Sequence, residues 1–335
     1  MANQRILFLD LARGLAVFFM ILQHGMIMYA VDEGAGTPVG DFIVLAGTAP
    51  AAPVFMFIMG VFFLKARDME TVRLRGLKLM ALGYVLNLLR FSIPTLLMGE
   101  YDGWGPDSPV GQFFAVDILQ MAGFSLIVMS TLAEMKPRNW VLLALAVGGT
   151  APFFWAYAPR NFILDILWGS GPNVAFPIFP WLIYPLAGMC WGRGFWGEEN
   201  TDGFLNRSMA AGLVFMAVGG LCWLTIDTPW MPVGDYSRSG LHVHLFILGF
   251  VLAWLWFFHG VARMLEGGAL ARLLSFWSRN VTPVYVIQWL FVSWGMLVVG
   301  YQESSAWMAA GLGLAVVGLT HVVTRQYDSL RPWGY

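Results

Sequence analysis

Apolar runs of about twenty residues recur from one end of the chain to the other, with short polar connections between them. Each run is long enough to cross a hydrocarbon layer as a helix. The pattern therefore predicts an all-α polytopic membrane protein with about ten transmembrane helices, at approximately 6–30, 42–64, 74–97, 113–134, 139–158, 176–195, 208–226, 243–262, 281–300 and 306–324. The connections are short and rich in Gly, Pro and Asp ("DEGAGTPVGD", "GEYDGWGPDSPVG", "DTPWMPVGDYSRSG"), so no soluble domain fits between the helices. No strong internal repeat and no low-complexity tract is visible, and residues 1–335 read as a single membrane-embedded domain. The first run is read as a helix rather than a cleaved signal. A secretory apolar region is short and uncharged, whereas this one is long enough to span and carries Asp10 and Arg13.

The charges in the connections give the orientation. Lys65, Arg67, Arg73, Arg75 and Lys78 follow the second run, Lys136 and Arg138 the fourth, Arg193 and Arg207 the sixth, and Arg263, Arg272 and Arg279 the eighth. Arg325 and Arg331 lie in the tail. The alternate connections are acidic: Asp32, Glu33 and Asp41; Glu100, Asp102 and Asp107; Asp227 and Asp235; Glu303. Basic loops stay on the cytoplasmic side, so both termini are expected there.

Composition supports a membrane location and narrows the chemistry. The chain is 58% hydrophobic and 12% charged, with a mean hydropathy of +0.67, whereas a soluble domain carries about 25% charged residues. It cannot cover itself with a hydrated surface. The net charge of −1 and the lack of a basic stripe argue against nucleic acid as a partner. The 16 Trp fit interfacial belts as well as packing. Cys190 and Cys222 both fall in apolar runs expected near opposite membrane faces, so they read as small buried side chains rather than a disulfide or a metal pair.

Ionisable side chains inside a spanning helix are costly and mark candidate sites. "RILFLDLARGLAVFFMILQH" carries three of them. Asp10 and Arg13 are three residues apart and can pair on one helix face, either as an anchor or as part of a site. Arg13 and His24 are eleven apart, which places them within about 20° around the helix and about 16 Å along it. One stripe of the helix thus offers a cation near the inner leaflet and an imidazole in the outer half. That suits a reaction whose two substrates arrive from opposite sides, although His24 also reads as a buried histidine with a hydrogen-bond partner.

Asn87 and Arg90 lie one turn apart in the third run, and Asp117 and Gln120 one turn apart in the fourth, all at comparable outer depth. Asp117 needs a partner there. It either pairs with Arg90, fixing the bundle, or orients His24 as a supporting carboxylate. Their shared depth predicts that Asn87, Arg90, Asp117 and Gln120 line one cavity with His24. Gln288, in "RNVTPVYVIQWLF", is expected to face the bundle through an interhelical hydrogen bond. His242 and His244, in "SGLHVHLF", are two apart and do not share a helix face, which suits substrate contact or interfacial placement better than zinc. His259 and His321 are read as structural. The chain has no GxSxG, no Walker loop, no dinucleotide-binding glycine pattern in context and no zincin motif.

With these residues in view, the first helix resembles that of the membrane acyltransferase superfamily, which includes heparan-alpha-glucosaminide N-acetyltransferase and the bacterial acyltransferases that decorate surface glycans. The shared pattern is D-x-x-R-G followed by an Arg-x10-His spacing, met by Asp10, Arg13, Gly14 and His24. "PVFMFIMGVFF", "VDILQMAG", "FPIFPWLIYPLAGMCWGR" and "RNVTPVYVIQW" resemble later segments of that superfamily, in order, over most of the chain. Relatives often have His where this chain has Gln288, which removes a second histidine from the mechanism, and no large extracellular domain is expected.

The resemblance implies acyl transfer across a membrane. Acyl-CoA, most simply acetyl-CoA, serves as co-substrate from the cytoplasm, and a hydroxyl or amine of a glycan or lipid-linked acceptor is modified on the far side. Arg13 with Asp10 is then assigned to the CoA phosphates, and His24 with Asp117 to proton or acyl transfer. Asn87, Arg90, Gln120, Gln288, His242 and His244 are assigned to substrate contact. No metal is expected. The expected setting is the bilayer of a bacterial inner membrane, with a homodimer left open. A transporter, or a non-catalytic subunit of a membrane complex, is the alternative, because polar residues lining a bundle serve a transport path as well as a reaction path.

Overall fold

The structure is a computed structural model and describes residues 6–99, 107–157, 161, 164–169, 171, 173–225 and 237–330. Arg5, Glu100, Asp102, Asp227, Asp235 and Arg331, which enter the readings above, lie outside the described residues. The helices run in chain order as α1 (Leu7–Tyr29), α2 (Pro38–Thr48), α3 (Ala51–Phe63), α4 (Met69–Asn87), α5 (Ile93–Met98) and α6 (Pro109–Phe113). Then come α7 (Ile118–Leu132), α8 (Pro137–Tyr157), α9 (Asp165–Trp168), α10 (Ile178–Trp181) and α11 (Ile183–Phe195). The last five are α12 (Thr201–Thr225), α13 (Leu241–Leu265), α14 (Ala269–Arg279), α15 (Val281–Val299) and α16 (Ala306–Leu330). Among the described residues the only strand-like pairings are two isolated bridges, Ala30 with Ser304 and Val116 with Val174.

Among the described residues seven segments are long and apolar enough to cross a membrane: Leu7–Tyr29, Pro38–Phe63, Met69–Met98, Thr201–Thr225, Leu241–Leu265, Val281–Val299 and Ala306–Leu330. They coincide with seven of the ten expected runs. The other three runs are helical but interrupted or short. In 113–134 the helix begins only at Ile118, because Asp117 caps it, leaving 15 residues in α7. In 139–158 the 21-residue α8 holds Pro152. In 176–195 the chain turns at Phe179, whose backbone is extended, and splits into α10 and α11.

The chain forms two compact units, Met1–Ala51 with Phe257–Tyr335, and Ala52–Trp256. In the first, α1 is the central helix, and α2, α14, α15 and α16 all pack on it. Its sequence permits this because small and branched apolar residues (Leu11, Ala12, Gly14, Ala16, Val17, Ile21, Gly25) lie buried along its length. Gly14 has the sharpest requirement: a Cβ there would collide with the backbone of Leu274, so only glycine lets α14 lie against α1 at this point. The Tyr29 hydroxyl donates to the Val292 carbonyl at 2.9 Å and ties α1 to α15. In the second unit α4 packs along α7, and α8 along α11. Asp68 caps α4, accepting from the amides of Glu70 and Thr71 at 3.0 Å each.

Candidate functional site

At the N-terminal end of α1, Asp10 and Arg13 sit one turn apart and their charged ends approach to 3.5 Å. Ser278, brought in by α14, completes the arrangement. Its hydroxyl donates to Asp10 Oδ1 at 2.6 Å and accepts from Arg13 Nε at 2.8 Å. The side chains of Arg13 and Asp10 remain 22% and 13% exposed, so the guanidinium is held in direction while still reachable. A cation fixed in this way has the chemistry to pair with an anionic group such as a phosphate. Gly14 makes the triad possible, since it admits α14 and hence Ser278. Ser278 escaped sequence reading: a lone serine 265 positions away in the chain gives no local sign of its partner.

Further along α1, His24 meets α15. Its Nδ1 lies 3.2 Å from Gln288 Oε1. The Gln288 amide nitrogen donates to the Tyr285 carbonyl at 3.2 Å, and the side chain is fully buried. The imidazole stacks on Trp289, with centroids 4.2 Å apart and planes 30° apart, and meets Tyr285 nearly edge-on at 6.2 Å. Tyr285, Gln288 and Trp289 occupy positions i, i+3 and i+4 and so share one face of α15. The expected inward placement of Gln288 is observed. Tyr285 and Trp289 were missed, although their spacing around Gln288 was a readable sign.

The second unit holds a different polar group. Arg90 and Asp117 pair at 2.5 Å, which is the ion pair anticipated from their depth. Asn87 Oδ1 accepts from Arg90 at 3.3 and 2.9 Å, and its amide donates to the carbonyls of Phe113 and Ala115 at 3.0 and 2.6 Å. Arg90 lies within a single π-helical turn, Leu88–Ser92, a wide turn common at functional positions. Asp117 and Gln120 are not a mid-helix pair, as the spacing suggested. They form a capping box at the start of α7: Asp117 is the N-cap, and Gln120 Oε1 accepts from its amide at 3.2 Å. Gln120 Nε2 reaches the Ala115 carbonyl at 3.3 Å. Gly83 on α4 leaves the room, since a Cβ there would strike the Gln120 amide. The reason for the difference is that Asp competes for helix N-termini more strongly than it tolerates a helix interior.

His242 and His244 open α13, both buried. His244 Nδ1 lies 2.8 Å from the Tyr184 hydroxyl. Both ring nitrogens of His242 are buried without a hydrogen-bond partner. Among the described residues no three His, Cys, Asp or Glu side chains cluster as a metal site requires. His259 packs edge-on against Phe8 at 5.4 Å, and His321 accepts from the Trp277 indole at 3.2 Å. Cys190 and Cys222 are free thiols.

Of the expected site residues, the structure thus gathers Asp10 and Arg13 around Ser278, His24 against Gln288, and Asn87, Arg90, Asp117 and Gln120 into one network. His24 belongs to the first unit, and the Arg90 network and His242 and His244 to the second. Comparison with known proteins gives one family. The sequence model described as heparan-alpha-glucosaminide N-acetyltransferase, catalytic, matches residues 5–221. No curated protein matches the chain.

Proposed function

This chain belongs to the heparan-alpha-glucosaminide N-acetyltransferase catalytic family, and from that premise we propose that it moves an acetyl group from cytoplasmic acetyl-CoA to a hydroxyl or amine of a glycan or lipid-linked acceptor on the opposite side of the membrane. The family makes it a membrane acetyltransferase; donor, acceptor and direction are the proposal. The observation that supports it most is the single stripe of α1 that carries the Asp10–Arg13–Ser278 triad at one end and His24 about 16 Å away. A directed, reachable cation suits the phosphates of CoA, and an imidazole in an aromatic setting suits proton transfer.

In this scheme the acceptor oxygen or nitrogen attacks the thioester carbonyl while an imidazole nitrogen of His24 takes its proton. The carbon–sulfur bond then breaks, and the departing thiolate recovers that proton from His24 as free CoA. Arg13 binds donor phosphate, and Asp10 and Ser278 hold Arg13. In the second unit both ring nitrogens of His242 are buried without a hydrogen-bond partner, which suits contact with a polar ligand there. The Arg90–Asp117 network ties the end of α4 to the start of α7. The apolar runs further suggest ten spans, and the alternating loop charges cytoplasmic termini.

The test is acetyl transfer by the purified protein in detergent, with radiolabelled acetyl-CoA as donor, D-glucosamine as acceptor and release of CoA thiol as readout. We expect thiol release that depends on protein and donor. Arg13→Ala should raise the half-saturating acetyl-CoA concentration by about tenfold or more, the loss of one charge-assisted contact. Intact acetyl-CoA in the presence of hydroxyl and amine acceptors, together with solute uptake by the same protein in vesicles, would replace this reading with transport.

A further inference from the structure

The two hydrogen bonds of Gln288 are directional, and together they fix the chemistry of His24. The amide nitrogen of Gln288 points at the Tyr285 carbonyl at 3.2 Å. Turning the amide over would set its oxygen against that carbonyl oxygen, and a fully buried amide has no water to turn to. The oxygen of Gln288 therefore faces His24 Nδ1, at 3.2 Å. A carbonyl oxygen only accepts, so Nδ1 must carry the proton, and in the neutral ring the lone pair then resides on Nε2. The stacked indole of Trp289 and the edge of Tyr285 hold the ring plane in which this bond is made.

We infer that Gln288 is a positioning residue that sets the tautomer of His24 and so makes Nε2 the nitrogen that takes the acceptor's proton. This rests on the reading of His24 as the proton-transfer group. It gives a role to a buried polar side chain that lies outside the residues matched by the family. The neutral amide does for His24 what a buried carboxylate does for the histidine of a serine-protease triad, orienting it and choosing its tautomer, but without contributing a charge. The orienting partner is thus supplied by α15 within the same unit.

The experiment uses the full chain with histidine labelled in both ring nitrogens, and reads the tautomer by nitrogen NMR. His24 signals are identified by their loss in His24→Ala. The expected result is a protonated Nδ1 and an unprotonated Nε2 in the unaltered protein. Gln288→Leu should lose this preference, and its turnover of acetyl-CoA should fall by about tenfold or more, with the half-saturating donor concentration unchanged; in a triad the wrong tautomer costs up to about 10⁴. Gln288→Glu, whose buried carboxyl in its neutral form gives a hydroxyl to the Tyr285 carbonyl and keeps an accepting oxygen at Nδ1, should restore both the signature and turnover, which a loss of packing alone would not explain. A proton on Nε2 in the unaltered protein overturns the inference, even if Gln288→Leu fails to fold. So does a Gln288→Leu protein that keeps both the signature and full turnover. Acetyl transfer surviving in His24→Ala would instead overturn the role of His24, while the spectrum still decides what Gln288 does.

Discussion

The two polar groups around His24 and around Arg90 look alike in the sequence and differ in construction. Both place ionisable side chains in apolar helices. Around Arg90, opposite charges close on each other at 2.5 Å, and Asn87 and Gln120 bind backbone carbonyls of the segment that leads into α7. That is a joint: its bonds hold α4, the π turn and the start of α7 in register. Around His24 the imidazole Nδ1 lies against a neutral amide, and two aromatic rings flank the ring. That arrangement fixes the direction of the ring. A costly residue in an apolar helix is thus found in two kinds of surroundings, a closed ion pair in one and an amide with two aromatic rings in the other.

The sharpest way to break the comparison is to remove each centre. His24→Ala should reduce turnover by about 10² to 10⁴, the usual loss of a positioned base, while acetyl-CoA still binds and the thermal midpoint in detergent hardly moves. Asp117→Ala should do the reverse. Leaving Arg90 buried without its carboxylate costs about 3–5 kcal/mol of stability, seen as a lowered unfolding midpoint, with turnover per folded molecule kept within a few-fold. Arg90→Met combined with Asp117→Leu should recover much of the loss. A stable Asp117→Ala protein without turnover would move Asp117 into the chemistry and erase the distinction.

A smaller effect sharpens the same point, because Asp68 caps a helix as Asp117 does but in an exposed loop. Hydrogen bonds from the Thr71 hydroxyl and from the Thr71 and Glu70 amides hold its carboxyl below the usual value of 3.8. Its folded-state value is depressed, so its contribution is present above 3.8 and is lost as the pH falls through the depressed value. Asp68→Ala should lower the midpoint slightly at neutral pH. The gap from the unaltered protein should close in strong acid, as measured by thermal unfolding across pH.

Much of the fold was legible because a bilayer requires long apolar helices whatever their packing. Seven of the expected runs appear as spanning-length helices, and the first is the hub of its unit. Where the helices differ from the expected runs, the causes are local. The run at 113–134 overlooked that Asp117 with Gln120 is an N-cap signature, readable in "VDILQ" by the same spacing that suggested a mid-helix pair. The run at 176–195 gave too little weight to Pro177, Pro180 and Pro185. In the site, Asp10 with Arg13 and the inward face of Gln288 were readable from periodicity, because neighbours on one helix are dictated by 100° per residue.

What the sequence determined alone is what depends on distance along one helix: the apolar spans, the charge alternation of the loops, and the stripe from Arg13 to His24. What only the tertiary structure decided is what depends on which helices touch. Ser278 reaches Asp10 and Arg13 because Gly14 admits α14, and Gln288, not a carboxylate, meets His24 Nδ1 because α15 lies on α1. A hydrogen bond acts over about 3 Å, while residues 264 positions apart in the chain carry no local sign of each other. Their meeting is settled by the packing of whole helices, through small residues at their contacts, and not by the side chains that the packing brings together.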